Sequence, residues 1–344
     1  MKTFIIIPAL EPEPGLEQRV RELQEALPSQ VIVIDDGSGV GYKEIFEAAD
    51  RIRGCTVLRH GTNRGKGCAL KTGFAYIKGK ADQMQIVCAD CDGQHLPADC
   101  ARLAARSAEC PGSLVLGVRD FSGDHVPWRS RFGNWISSRI LEKAAGIRLS
   151  DTQTGLRAFD GSLLDMICSV PGSRFEYETE VLLACAERGV PVVAEPVETV
   201  YVDSNEGSHF RPVRDSIYVM SVFLKRPVKF MLSSAFCALL DLALFAAAFR
   251  LTGSVFVATG AARILSAAAN YCINRNAVFS GRGKTAGVSA VRYGVLCAGI
   301  AVLSALSVSV SSAVLRIRPE TAKVFCDAVL FFISYRVQKR WVFR

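Results

Sequence analysis

The sequence predicts two folds in one chain: an α/β domain built on a mostly parallel sheet, then an all-α unit of membrane-spanning helices. Three observations carry this. Up to about residue 200, short β-rich runs alternate with helical stretches. From 225 onward the apolar stretches lengthen to roughly the 20 residues a bilayer span needs. Charge divides at the same place, with 25 basic and 30 acidic side chains in residues 1–224 but 16 and 3 in residues 225–344. At 344 residues and 50% hydrophobic content, the chain is too apolar for disorder and too long for one small domain.

Taken in order, strands are expected at Thr3–Ile7, Val31–Ile34, Thr56–Leu58, Met84–Cys88 and Leu114–Val118, with helices at 15–26, 42–51, 67–77 and 97–107. The run Val31-Ile32-Val33-Ile34 has no polar side, which suits a strand covered by helices on both faces. In such sheets ligands sit at the carboxyl ends of the strands. There the chain places Pro8-Ala9, Asp35-Asp36-Gly37-Ser38, Ala89-Asp90-Cys91-Asp92 and Arg119. Twelve cysteines without a repeated spacing make no disulfide framework, and the seven residues before Pro8 are too short for a signal segment. This domain is therefore expected to be reduced and cytoplasmic.

Four spans are expected, near 229–249, 254–274, 293–315 and 321–338. The third holds 23 uncharged residues from Tyr293 to Leu315, whereas Asp241, Arg263 and Asp327 interrupt the others. Intramembrane charges cost about 2.5–3.5 kcal/mol each on insertion scales, so Arg263 is expected to pair with one of the two acids. A soluble bundle would need more acids, and a nucleic-acid arm would be more polar. Lys225, Arg226 and Lys229, then Arg275, Arg282, Lys284 and Arg292, then Arg336, Lys339, Arg340 and Arg344 flank the spans. They orient the first domain and both termini toward the cytoplasm. Over 209–224, Phe210, Val213, Ile217, Met220 and Leu224 line one helix face, which either lies on the membrane surface or packs on its own domain. The domains so divided are 1–224 and 225–344.

The sharpest chemical signal is Asp90-Cys91-Asp92-Gly93-Gln94-His95. Two carboxylates at i and i+2 leaving a strand can bend toward one hard cation, which usually also takes substrate phosphates. His95 is either a further ligand or a turn residue bonded to backbone. In Asp35-Asp36-Gly37-Ser38, a carboxylate either hydrogen-bonds a nucleobase or ribose, or caps the next helix. Asn63-Arg64-Gly65-Lys66-Gly67 is not a Walker loop, because Gly61 lies too close and Gly67 replaces the hydroxyl residue. It still offers backbone amides and Lys66 to a phosphate at a helix start. Cys88 and Cys91 form a lone Cys-x-x-Cys with no second pair, and no serine has the setting of a hydrolase elbow. Arg119, Arg129 and Arg131 carry planar forks suited to phosphate, with surface ion pairs as the alternative reading.

Together, Pro8-Ala9, Asp35-Asp36-Gly37-Ser38, Asn63 to Gly67, Asp90-x-Asp92-Gly93-Gln94-His95 and Asp151-Thr152-Gln153-Thr154-Gly155-Leu156-Arg157 resemble the polyprenyl-phosphate glycosyltransferases (dolichyl-phosphate mannose synthase-like) of glycosyltransferase family 2. Asn270-Tyr271 with Asn274-Arg275, and Tyr335 with Lys339-Arg340-Trp341-Val342-Phe343, resemble the GtrA-like membrane family. The resemblance implies an α/β GT-A (nucleotide-diphospho-sugar transferase, Rossmann-like) domain followed by an all-α four-helix transmembrane domain. It implies Mg²⁺ or Mn²⁺ and inverting transfer of one sugar from a nucleotide-sugar donor to polyprenyl (undecaprenyl) phosphate, supplying a lipid-linked sugar for the cell envelope. Pro8, Ala9, Glu11, Asp36, Lys66 and the Asp90-Cys91-Asp92 turn would contact the nucleotide. Asp90, Asp92 and Gln94 would hold the metal, and Arg119 and Arg131 the acceptor phosphate. Two positions depart from the family pattern: Pro-Ala-x-Asn-Glu reads Pro8-Ala9-Leu10-Glu11-Pro12, and Arg-x-x-Gly-x-Ser reads as Ser204 to Arg211, so that Arg211 is the candidate for the missing arginine. UDP-glucose is the expected donor and GDP-mannose the alternative. The rival activity is a lipid-linked sugar translocator whose first domain only binds cargo. The other partners implied are the lipid bilayer, with a homo-oligomer allowed and no nucleic acid. The membrane unit is read as an anchor in preference to a lipid flipping device.

Overall fold

The computed structural model describes residues 1–81, 83–119, 128–152, 154–198, 212–279, 285–315 and 318–343. The chain forms two compact units, Met1–Phe223 and Leu224–Arg344.

The first unit is built on seven strands: β1 (Lys2–Ala9), β2 (Gln30–Asp35), β3 (Cys55–Arg59), β4 (Met84–Cys88), β5 (Leu114–Arg119), β6 (Arg157–Asp160) and β7 (Val192–Val197). Its helices are α1 (Leu16–Ala26), α2 (Lys43–Asp50), α3 (Lys66–Ile77), α4 (Pro97–Glu109), α5 (Trp128–Ala145), α6 (Leu164–Cys168) and α7 (Glu176–Arg188). Spatial order is β3-β2-β1-β4-β6-β5-β7. The sheet is mixed, because β6 runs antiparallel to both β4 and β5 while the other pairs are parallel. β6 escaped the sequence reading because Arg157-Ala158-Phe159-Asp160 is too short to show a period. β7 escaped it because Glu195 and Pro196 break its apolar pattern, and a proline is tolerated on such an edge strand.

Both faces of the sheet are covered, as the apolar runs require. Phe4, Ile6, Ile32 and Ile34 pack with Leu70, Phe74 and Ile77 of α3 in one core. The alternate residues Ile5, Ile7, Val31 and Val33 pack with Leu16, Val20, Phe46 and Leu103 in the other. The chain builds β2 and β3 on one side of β1 and then places β4 on the other. That reversal is where strand ends diverge and a crevice opens in α/β sheets. The pairing shows it: β1 contacts β4 only as far as Ile6, opposite Cys88, but follows β2 to Ala9, opposite Asp35. Pro8, which has no N–H to give, falls just past the last β4 partner.

Among its described residues the second unit has four α-helices, α8 (Pro212–Thr252, which begins in the first unit), α9 (Val255–Ile273), α10 (Ala286–Leu315) and α11 (Pro319–Val337). Among the described residues, three stretches are long and apolar enough to cross a membrane: Met220–Thr252, Val255–Val278 and Ala286–Ser311. The expected fourth span forms as α11 but holds Glu320, Lys323, Asp327 and Arg336 within its 19 residues. The amphipathic stretch and the first span, expected as separate pieces, form one helix that passes through Pro227. Proline removes one backbone donor, a loss that membrane helices tolerate.

Outward faces of these helices carry exposed Leu232, Phe236, Leu239, Phe256, Ile264, Val291, Phe325 and Phe332, side chains suited to lipid. A set of uncharged polar groups, Ser233, Ser266, Asn274, Ser289 and Gln338, is buried, whereas the side chains of Arg263, Lys323 and Asp327 are exposed. Asn274 is fully buried, accepts from Ser233 Oγ at 2.9 Å, and donates to Asn270 Oδ1 and, at 3.1 Å, to Gln338 Oε1. Arg263 meets Asp241 at 3.8 Å, and Asp327 pairs with Lys323 at 2.9 Å. α9 and α11 both end in a π-helical turn, Asn274–Val278 and Gln338–Val342, each followed by a phenylalanine. Phe279 and Phe343 stack with their centroids 5.2 Å apart.

Candidate active site

Loops after β1, β2 and β4 surround the crevice and hold one another. Glu11 adopts a left-handed backbone (φ 47°), and its N–H donates to Ser38 Oγ at 2.8 Å, tying the loop after β1 to the one after β2. Ala9 is buried at the end of β1, where its carbonyl accepts from the Asp36 N–H at 2.8 Å. The Asp36 carboxylate accepts from His60 Nδ1 at 2.7 Å and from the N–H groups of Arg64 and Gly65 at 3.0 and 2.7 Å. Both of its oxygens thus draw the 60–65 loop over the end of β2. Gly37 is required at the same junction: its φ is +82°, and a Cβ would lie 2.4 to 2.8 Å from the Thr62–Asn63 backbone if one were present.

That loop delivers Lys66, the first residue of α3, to the end of β4. Lys66 Nζ lies 2.6 Å from Asp90 Oδ1 and 2.9 Å from Glu178 Oε1, while His95 Nε2 lies 3.4 Å from Asp90 Oδ2. Burial opposes the charge on Asp90, but Lys66 and His95 outweigh it and hold the carboxyl far below the usual carboxylate range. Burial likewise opposes the charge on Lys66, and Asp90 with Glu178 outweighs it and holds the ammonium above its ordinary value. Asp92 moves the other way, raised by burial and by the neighbouring Asp90 charge. Its Oδ1 accepts the Gln94 N–H at 3.1 Å, closing the turn. The two carboxyls are therefore inequivalent, Asp90 shifted down and Asp92 shifted up.

Three further residues shape this turn: Arg19 and Glu178, which no sequence motif marks, and Gly155, which lies in the Asp151 to Arg157 motif without a role assigned to it there. Arg19, on α1, donates to the Cys91 carbonyl, and a Cβ on Gly93 would lie 2.8 Å from its Nε. Gly155 packs so closely that a Cβ there would fall on the Asp90 carboxylate and 2.7 Å from Lys66 Nζ. Glu178, in the first turn of α7, is the second anion on Lys66. Each depends on a meeting of distant segments, which spacing along the chain does not reveal. Burial pushes the Cys88 thiol up to about 12 and the Cys91 thiol up to about 11, so both stay protonated at neutral pH.

On the other side, Arg119 ends β5 and its Nε donates to Asp151 Oδ2 at 2.7 Å. Asp151 is fully buried. Asn134, on α5, accepts the Thr152 N–H at 3.2 Å and donates to the Ser150 carbonyl. The 151–157 segment thus touches Arg119 at one end and Asp90, through Gly155, further along. The side chain of Arg131, in α5, and the whole of Arg211 lie outside the described residues. Among the described residues, no three His, Cys, Asp or Glu side chains converge into a metal cage.

Comparison with known proteins matches these two units to two families. Residues 4–167 match glycosyl transferase family 2, and residues 229–343 match the GtrA/DPMS transmembrane domain. An uncharacterized protein of Methanocaldococcus jannaschii is 27% identical over 204 residues, covering 58% of this chain and 82% of that one. The UDP-N-acetylglucosamine–dolichyl-phosphate N-acetylglucosaminyltransferase of Methanococcus voltae is 28% identical over 221 residues, covering 58% and 86%. The undecaprenyl-phosphate 4-deoxy-4-formamido-L-arabinose transferase of Pseudomonas paraeruginosa is 28% identical over 200 residues, covering 55% of this chain and 52% of its own length. Residues 4–167 are a family 2 glycosyltransferase domain, residues 229–343 are a GtrA/DPMS-type transmembrane domain, and the chain that joins them is a glycosyltransferase.

Proposed function

We propose that this enzyme moves one sugar from a nucleotide-sugar donor to a polyprenyl phosphate, at the cytoplasmic side of the membrane in which its second unit is embedded. The observation that carries the reading is the Asp90–Asp92 turn at the β1/β4 crevice, in a chain that offers, among its described residues, three helices of membrane-spanning length. Relatives named for dolichyl-phosphate and undecaprenyl-phosphate transfer support the acceptor, and the Methanococcus voltae enzyme's name supports a uridine nucleotide.

The residues present fit a Mg²⁺ or Mn²⁺ ion of the kind held by one or two carboxylates plus substrate phosphates rather than by a protein cage. Asp90, Asp92 and Gln94 would hold it. When bound, it supplies charge withdrawal from the departing nucleotide diphosphate. Pro8, Ala9 and Glu11 border the nucleoside end of the crevice, with the loop that Asp36 organises forming its wall. Lys66 is a cation at the diphosphate end and also fixes the position of Asp90. The acceptor phosphate, with a second pKa of about 6, is already an anionic nucleophile at neutral pH and needs no dedicated base. The contribution of Arg119, Arg131 and Arg211 is then electrostatic, since they hold two anions together in line so that displacement inverts the anomeric carbon. The membrane unit anchors the enzyme to the bilayer that carries its acceptor.

The test is to incubate membranes containing the protein with undecaprenyl phosphate and radiolabelled UDP-glucose, UDP-N-acetylglucosamine or GDP-mannose, then extract lipid. Label in the lipid fraction from at least one donor is expected. If no donor labels lipid while the same membranes bind nucleotide sugar, the protein is a cargo-binding device and the transferase reading fails.

A further inference from the structure

We infer that Glu178 is a positioning residue that allows Lys66 to rest on Asp90 without driving a divalent cation away from the Asp90–Asp92 turn. The inference rests on the transferase reading above. An ammonium 2.6 Å from Asp90 supplies the charge that a metal ion would otherwise bring, so Lys66 alone would compete with that ion. Glu178 Oε1, 2.9 Å from the same nitrogen, cancels it. Asp90, Asp92 and Glu178 against Lys66 give three formal negative charges and one positive, a net of two among these four side chains, while Arg19 and His95 beside the turn are the same in every variant considered. Removing Glu178 leaves one, removing Lys66 leaves three, and removing both restores two.

The fold holds this arrangement rigidly. Glu178 is buried in the first turn of α7, where the helix dipole favours an anion. Its backbone carbonyl accepts from Arg157 Nη1 at 2.8 Å, which ties α7 to β6. The amino ends of α3 and α7 interlock: the Cys68 N–H donates to the Ser173 carbonyl at 3.0 Å, and Lys71 Nζ donates to the Gly172 carbonyl at 2.8 Å. Gly67 packs so tightly on the neighbour of Glu178 that an added Cβ would lie 2.6 Å from Tyr177 Cβ. The joint between the two helices thus holds the backbones of Lys66 and Glu178 close together.

The experiment titrates Mn²⁺ alone into the full chain in detergent and follows free Mn²⁺ by its electron paramagnetic resonance signal. Wild-type binding that Asp92→Asn abolishes, with Mn²⁺ alone or in a second titration with UDP present, is the baseline; absence of wild-type binding in both titrations removes the metal assignment, and this inference with it. Given that baseline, Glu178→Gln is expected to weaken Mn²⁺ affinity by about 10-fold, and Lys66→Met to tighten it by a similar factor. The double variant is expected to return to within about 3-fold of wild type, a rescue that a merely misfolded Glu178→Gln chain would not show. Unchanged affinity in Glu178→Gln, or a double variant as weak as Glu178→Gln, overturns the role of Glu178 while leaving the metal site and the transferase reading standing.

Discussion

At the end of β4 in the first unit, one lysine faces two carboxylates and a second aspartate lies two residues on, its carboxyl raised by burial and by the charge of its neighbour. In the second unit, Asn274 is fully buried and shares its amide among Ser233, Asn270 and Gln338. The membrane cluster is neutral and self-contained, as expected where an unmet polar group has no water to turn to. The β4 cluster is charged, with Lys66 between Asp90 and Glu178 and Asp92 two residues on, and in the reading proposed above it takes a divalent cation. Polar residues in the membrane unit thus join its helices to one another, and those at the end of β4 are the ones proposed above to take part in chemistry.

Substitutions sharpen this contrast, and the largest effect belongs to the β4 cluster. Asp92→Asn is expected to slow sugar transfer by ~10²-fold or more, the scale of a lost electrostatic stabiliser, in the labelled-lipid assay. Near-normal turnover would mean that the turn is not the reacting end of the crevice. Next, Gly155→Ala pushes a methyl group onto the Asp90 carboxylate, and displacement on that scale is expected to cost roughly 10- to 10²-fold in rate. An unaffected rate would show that Asp90 does not have to be held in this position. In the membrane unit, Asn274→Leu strips Ser233 and Gln338 of a shared partner. It should lower stability in detergent by about 1–2 kcal/mol, measured by thermal unfolding, while Mn²⁺ affinity stays unchanged. A loss of Mn²⁺ affinity would break the separation drawn between the units. Smallest is Arg263→Ala: its pairing with Asp241 is long at 3.8 Å, and about 0.6 kcal/mol or less is expected in the same unfolding measurement.

Much of this was legible in the chain. β1, β2 and β4 could be read from apolar runs because strands covered on both faces have no reason to alternate. The Asp90 to Gln94 turn could be read because its carboxylates are neighbours in sequence. Legibility failed where distant segments meet. The place of Lys66 at a helix start marks it in sequence as a phosphate ligand, yet its contacts with Asp90 and Glu178 come from two other elements. Glu178 sits in an ordinary acidic first helical turn, and Gly155, although it belongs to the Asp151 to Arg157 motif, gives no sign in sequence of the Asp90 carboxylate packed against it. The helix through Pro227 failed for a different reason: favourable helical sequence on both sides outweighed one missing donor. The charges of α11 were visible as an interruption at Asp327, but the full set, with Glu320, Lys323 and Arg336, leaves it less apolar than its neighbours.

The central claim is that Asp90 and Asp92 together hold the cation beneath the donor diphosphate. Crystals of the full chain with UDP and Mn²⁺, measured at a wavelength where manganese scatters anomalously, test it most directly. The account predicts one anomalous peak within ligand distance of both carboxylates, with the diphosphate beside it at the β1/β4 crevice. A bound UDP whose manganese lies away from these two side chains would contradict it.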